Sequence, residues 1–194
     1  MSGGDRDRWN AKYRASGHRR GTPAATLLEL AERLPKAGRA LDIAGGTGAD
    51  AAWLAQRGLS VTLVDVSEVA LGLAVESAAR AGVDFAVVQA DLTIDPLPPG
   101  PWDLVLCNHF VQRDLLPAVV QALAQDGLLL WVHPTVDNLA RHPRPSRRFL
   151  LDTGEAVALV TQAGLEVVWH DEGWAGTEPT ARHLARVLAR RPTA

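Results

Sequence analysis

The stretch ALDIAGGTGADAAWLAQRG, residues 40–58, constrains the fold more than any other part of the chain. An apolar run ends in Asp42, the glycine cluster Ala44–Gly48 follows, and a short amphipathic segment closes on Gly58. Glycines there let the backbone approach a ligand closely, because no side chain stands in the way. The segment that follows, read as a helix, offers unpaired N–H groups and a partial positive charge at its start. Strand, glycine turn and helix in that order open a parallel-sheet protein built around a nucleotide-like ligand. GTGADA, from Gly46 to Ala51, also satisfies the dinucleotide pattern G-x-G-x-x-A. Taken alone, that pattern marks a strand-to-helix turn as readily as a pocket.

The rest of the chain keeps the same rhythm of apolar runs and helix-patterned stretches, which predicts an α/β sheet. Predicted strands are 40–44, 61–65, 85–89, 103–107 and 128–133, with helices over 49–57, 68–81 and 115–124 between them. Gly58, Gly82 and Gly127 follow the helices, and Ser67 stands where an N-cap belongs. Residues 1–37 read as a helical cap of one or two helices, 38–133 as a ligand-binding core, and 134–194 as a loop with a substrate-side part. In that last part 134–153 is rich in proline and arginine and predicts a long loop, followed by a helix near 155–163. LEVVWHDEG leans towards a strand, whereas periodicity leaves ARHLARVLARR open between strand and helix.

At 194 residues this reads as one domain, and its 47% hydrophobic and 22% charged residues are ordinary for a soluble globular protein. A net charge of −2 argues against a general nucleic-acid binder. The single cysteine, Cys107, excludes an internal disulfide and suits a reducing compartment. No apolar run could span a bilayer, and MSGGDRDRWN lacks the apolar core of a secretion signal. The expectation is a cytoplasmic protein without membrane or nucleic-acid partners.

Three carboxylates narrow the ligand. Asp65 ends the second predicted strand, where it suits the two hydroxyls of a ribose. Asp42, at the mouth of the glycine loop, would meet a diphosphate with unfavourable charge and attracts an ammonium instead. Asp91, after the third strand, is placed to accept from an exocyclic amine. A nicotinamide-dependent oxidoreductase shares the loop and Asp65, but Asp42 and Asp91 count against it.

LDIAGGTG, VDVSEVAL, QADL and WDLVLCN together resemble the successive motifs of class I S-adenosylmethionine-dependent methyltransferases, over roughly residues 40–133. The resemblance implies a Rossmann-like, seven-stranded, mostly parallel sheet with helices on both faces and an antiparallel last strand. It implies S-adenosyl-L-methionine as cofactor, with Asp42, Ala44, Gly45, Gly46 and Gly48 around its methionine portion. Asp65 would hold the ribose, Val66 would flank the adenine, and Asp91 with Leu92 would meet the adenine edge. One departure is Ala44, which replaces the family's first loop glycine. DRWNAKYRA is similar to the amino-terminal segment of the small tellurite-resistance-like branch, where that segment folds over the cofactor; this nominates Trp9 and Tyr13.

In an open parallel sheet the reacting groups lie beyond the carboxyl ends of the strands, here CNHFVQRDLL. Asn108 is expected beside the cofactor and His109 as the catalytic group that accepts a proton near neutral pH. Arg113 reads as a cap on backbone carbonyls, with orientation of an anionic group as the alternative, Gln112 as structural, Cys107 as a buried small hydrophobe, and His133 as a second pocket candidate. The scattered histidines and single cysteine predict no metal site. Arg141, Arg144, Arg147 and Arg148 form either a solvated charge run or a lid. The expected activity is in-line methyl transfer to a small molecule. A binding protein that retains the pocket without transferring methyl groups is a further alternative, because a soft anionic acceptor needs no general base and no single residue is indispensable.

Overall fold

The computed structural model describes residues 2–16 and 21–193; residues 1, 17–20 and 194, part of the expected terminal segments, lie outside the described residues. The strands are β1 (Arg39–Ile43), β2 (Ser60–Asp65), β3 (Ala86–Gln89), β4 (Trp102–Asn108), β5 (Leu123–Pro134), β6 (Glu166–Ala175) and β7 (Arg182–Arg190). They form one seven-stranded sheet in the order β3-β2-β1-β4-β5-β7-β6. β1 to β5 pair in parallel, and β7 runs antiparallel to both β5 and β6. The helices are α1 (Ser2–Ser16), α2 (Ala25–Glu29), α3 (Ala49–Gln56), α4 (Glu68–Ala81), α5 (Leu116–Ala122) and α6 (Glu155–Gln162).

Strand periodicity sorts the core into two layers. Leu41 and Ile43, Val105 and Cys107, Leu129 and Trp131 face one side, where α5 and α6 cover them through Leu116, Val119, Ala156 and Val160. Ala40, Leu104, Leu106, Leu130 and Val132 face the other, beneath Leu27 of α2, Ala51 and Leu54 of α3, and Leu71 and Ala74 of α4. Asp42 and Asp65 share the parity of Ala40 and Leu63, so both carboxylates turn towards the α3 side.

ARHLARVLARR resolves as strand β7. Its arginines, leucines and alanines favour a helix in isolation, but the segment is enclosed between β5 and β6 and bonded on both edges. Leu184, Ala185, Val187, Leu188 and Ala189 are all buried, and tertiary packing overrides intrinsic propensity. Ser67 caps α4 as expected, accepting from the Ala70 N–H at 3.1 Å. The 134–153 stretch is pinned at its base: Val136 N–H donates to the Leu151 carbonyl (2.8 Å), and Leu151 N–H donates to that of Pro134 (3.1 Å). Two 3-10 turns, Val136–Ala140 and Arg147–Phe149, lie within it. No helix among the described residues is long and apolar enough to cross a membrane.

Candidate functional site

The strand order reverses between β1 and β4, and a crevice opens there beyond the carboxyl ends of the strands. It holds a cavity of about 370 Å³, within the range of small-ligand sites. Each strand end contributes: Asp42 and the Ala44–Thr47 loop after β1, Asp65 and Val66 after β2, Ala90 to Thr93 after β3, and Asn108 to Phe110 after β4. Trp9 and Tyr13 of α1 reach the same cavity. Of the residues expected at the cofactor, Gly48 alone falls outside this lining. It precedes α3 with φ of 76°, and a Cβ there would meet Phe85 at 2.9 Å and Ala74 at 3.0 Å, so it serves helix packing.

The glycine loop wraps a carboxylate. A Cβ on Gly45 would lie 2.5 Å from Asp42 Oδ2 and 2.7 Å from Leu63, so the position admits no side chain. The Gly46 N–H donates to Asp65 Oδ2 at 3.0 Å, and the Ser67 N–H donates to Oδ1 at 2.8 Å. Ala44 adopts φ of 53°, the left-handed conformation that glycine takes more easily, so the loop keeps its path despite the substitution.

Asp42, Asp50 and Asp65 are all buried or nearly so. Burial raises the pKa of each. For Asp42 the charges of Asp50 and Asp65 raise it further, against the hydrogen bond from Ala51 N–H. Asp50, which the sequence reading passed over, accepts from Ala24 N–H at 2.7 Å and from Asn108 Nδ2 at 3.2 Å. Three buried acceptor atoms around the cavity have no partner among the described residues: Asp42 Oδ2, Asp91 Oδ2 and Asn108 Oδ1. The second Asp91 oxygen is taken by the Thr93 N–H and hydroxyl at 3.1 and 2.6 Å. A cavity with unpartnered acceptors and clustered carboxylates selects a ligand rich in donors and positive charge.

One buried amide docks α1 here. Asn10 is only 4% exposed on an otherwise polar helix. Its Oδ1 accepts from the Ser67 hydroxyl at 2.7 Å and from Val69 N–H at 3.4 Å, and its Nδ2 donates to Glu68 at 3.4 Å. Trp9 and Tyr13, one turn apart, stack at 5.9 Å, and Lys12 sits 4.1 Å above the Trp9 ring. Burial, then the Asp65 charge, push the Tyr13 pKa up to about 12. Asn10, Lys12, Asp50 and Phe110 were not singled out from the sequence. Only Asp50, acidic in the first turn after the glycine loop, carried a local signal.

On the opposite rim His109 follows β4 with φ of 59°, its N–H donating to the Val132 carbonyl at 2.8 Å. The next carbonyl, that of Phe110, accepts from Trp131 Nε1 at 3.2 Å and from the buried Cys107 thiol at 3.4 Å, so core residues set this turn. The His109 ring reaches solvent but is crowded by the cavity wall; desolvation, then the Arg182 charge, hold its pKa below the ordinary value. His133 does not line the cavity. It is buried, its Nε2 lies 2.8 Å from the Phe149 carbonyl, and burial lowers its pKa to about 4. Arg113 clamps Glu155 through two contacts of 2.5 and 2.8 Å and donates to the Leu150 carbonyl at 3.0 Å. None of the four arginines of the 134–153 stretch lines the cavity. Arg141 pairs with Glu178 and Arg147 with Asp152.

Residues 40–127 match the family described as a methyltransferase domain. The match covers less than half of the chain. Methyltransferases of that kind take S-adenosylmethionine as cofactor. A curated relative, a ribosomal RNA small subunit methyltransferase C of Alcanivorax borkumensis, is 37% identical over 87 residues, 44% of this chain. The chain spans about a quarter, 26%, of that relative's length. Among solved structures, TehB from Haemophilus influenzae superposes with a TM-score of 0.73 at 16% identity, covering 94% of this chain and 67% of that one. A chain solved for the conversion of a disulfide bond into a thioacetal group during echinomycin biosynthesis gives a TM-score of 0.74 at 20% identity, covering 96% of this chain and 93% of that one. At such identities these likenesses establish the shared fold.

Proposed function

We propose that the protein transfers the methyl group of S-adenosylmethionine to a small molecule bound beside His109. The observation that carries this reading is the pair of buried, unpartnered carboxylate oxygens, Asp42 Oδ2 in β1 and Asp91 Oδ2 after β3. β2 alone separates these strands, which therefore lie about 10 Å apart across the sheet, and Asp91 stands further towards their carboxyl ends. A ligand that satisfies both presents a cationic or amine donor at each end, and S-adenosylmethionine does so with its ammonium and its adenine amine, with ribose hydroxyls for Asp65 between. The nicotinamide alternative places a diphosphate against Asp42, Asp50 and Asp65, where like charge opposes it.

Asp42 and Asn108 hold the amino group in this reading, while Lys12 at the mouth faces the carboxylate. Asp65 keeps its backbone donors and has lone pairs left for a ribose diol. Asp91 with Leu92 fixes the adenine edge, and Trp9 with Tyr13 excludes water from above. When bound, S-adenosylmethionine supplies an electrophilic methyl carbon and its own leaving group, so the protein's share is alignment and dryness. His109, held neutral at physiological pH, takes the proton from an acceptor that must lose one. The acidic cavity and the chain's net charge of −2 favour a small acceptor over RNA, although the curated relative is named for ribosomal RNA.

Calorimetry with S-adenosylhomocysteine and with NADH tests the cofactor assignment: heat from the first and none from the second is expected, and the reverse overturns it. Labelled S-adenosylmethionine, offered with thiols, amines, phenols, oxyanions and ribosomal RNA, then tests the acceptor class. Label transfer to RNA alone refutes the small-molecule reading.

A further inference from the structure

We propose that Asp137, Glu172 and His183 form a site for one first-row divalent transition ion, with Zn²⁺ as its representative. The three side chains come from three elements: the 3-10 turn after β5, strand β6 and strand β7. One ligand atom of each lies within 4.8 Å of the others. His183 Nε2 faces Asp137 Oδ2 at 4.0 Å, too far for a hydrogen bond. Donors held at about 2.1 Å from a shared ion sit roughly 3 to 4 Å apart, so modest rotation of the two carboxylates closes the trio on a cation.

Each member is oriented by a partner outside the trio. The other ring nitrogen of His183, Nδ1, lies 2.7 Å from the hydroxyl of Thr135, a residue with no exposed surface. With the proton on Nδ1 and Thr135 accepting it, Nε2 turns a lone pair towards the carboxylates. Asp137 Oδ2 accepts from the Thr153 hydroxyl at 3.2 Å, and Glu172 accepts from the Gly154 N–H at 3.0 and 3.3 Å. Outer partners that fix ring tautomer and carboxylate direction are the usual support of a metal site. Nearby basic groups are engaged elsewhere: Arg182 Nη1 lies 2.9 Å from His142 and donates to two carbonyls at 3.0 Å, and Arg141 pairs with Glu178. Two carboxylates therefore converge on an imidazole. One nitrogen with two oxygens suits a transition ion better than Mg²⁺ or Ca²⁺, which prefer all-oxygen shells. The bound ion would fasten the root of the arginine-rich stretch to the β6–β7 pair. None of the three residues lines the cofactor cavity, so this proposal stands apart from methyl transfer.

The test is calorimetric titration of the EDTA-treated full chain with ZnCl₂, alongside Glu172→Gln, Asp137→Asn and His183→Ala, with circular dichroism confirming that each variant folds. Glu172→Gln and Asp137→Asn keep an acceptor for Gly154 and Thr153, so the charge changes and the fold is preserved. One saturable equivalent is expected in the parent, weakened at least about tenfold in every folded variant, which is the scale already seen for supporting partners. Bound Co²⁺ should give visible d–d absorption that Zn²⁺ abolishes. No saturable Zn²⁺ heat in the parent, or an affinity unchanged in Glu172→Gln and Asp137→Asn, overturns the site.

Discussion

Asp42→Asn should strengthen the free protein and weaken its hold on the cofactor. Asp42 is 1% exposed, its Oδ2 has no partner, and burial with the charges of Asp50 and Asp65 raises its pKa well above the ordinary 3.8. Asparagine keeps the size and the acceptor for Ala51 N–H while removing the charge. Asparagine still leaves a polar atom in place of Oδ2, so the gain comes from removing the desolvated charge and its repulsion by Asp50 and Asp65. Relief of about 1–2 kcal/mol in the free protein corresponds to a Tm higher by about 2–8 °C for a chain of this size. The sign with pH follows from the raised pKa: the stabilising contribution of Asp42 is complete below its unfolded value and is lost as pH rises through the folded one. The advantage of Asp42→Asn in the free protein therefore grows with pH. In the complex the order inverts. An ammonium bonded to a carboxylate contributes about 1.5–3 kcal/mol, so S-adenosylhomocysteine should bind about 10- to 150-fold more weakly to the variant. Thermal melts across a pH series, with and without S-adenosylhomocysteine, and calorimetry near neutral pH measure both quantities. A variant that melts lower and binds as tightly as the parent would refute the reasoning.

Asn10→Ala leaves the Ser67 hydroxyl a buried donor without acceptor, at a cost of about 1–3 kcal/mol to the docking of α1; S-adenosylhomocysteine affinity should fall at least about fivefold and proteolysis within 2–16 should quicken. Equal affinity would show that α1 does not cover the ligand. Arg113→Ala should lower stability by about 1–2 kcal/mol, since solvent partly screens the clamp, and leave S-adenosylhomocysteine binding intact. The Arg113 clamp lowers the pKa of Glu155, so its contribution is present above the unfolded carboxylate value and fades as pH falls through the folded one; melts of Arg113→Ala and parent should converge in acid. With an acceptor that must lose a proton, the acid limb of kcat should lie below the ordinary histidine value of 6.5 and vanish in His109→Asn; a limb above 6.5 assigns the base elsewhere.

The central strands β1, β2 and β4 were legible because each is a short apolar run that follows a glycine, a pattern set by burial on both faces. β7 was not, because its composition suits a helix and only its neighbours decide its state. The same division runs through the site. Asp42, Asp65 and Asp91 end successive strands, so sheet geometry alone brings them to one rim. Asn10 carries no such mark: an amide in a polar helix looks solvated until Ser67, more than fifty residues away, appears beside it. Cys107 reads as a buried small hydrophobe, yet it and Trp131 both donate to the Phe110 carbonyl that shapes the turn holding His109.

Histidine spacing along the chain points away from any metal, and the proposed Asp137–Glu172–His183 site is invisible to that reading for a physical reason. Local spacing detects only ligands that share one helix, hairpin or loop. Here the antiparallel return of β7 carries His183 back to the rim where β5 ends, and Glu172 arrives on the neighbouring strand. The same reversal brings the Arg182 charge to His109, where it adds to the desolvation that lowers the ring's pKa. The one antiparallel strand of the sheet thus turns its amino end towards the carboxyl ends of the others. What it delivers there is absent from residues 40–133, the part whose motifs carry the resemblance. In this chain the residues expected at the cofactor are therefore readable from local motifs, whereas the Arg182 charge near His109 depends on this late strand.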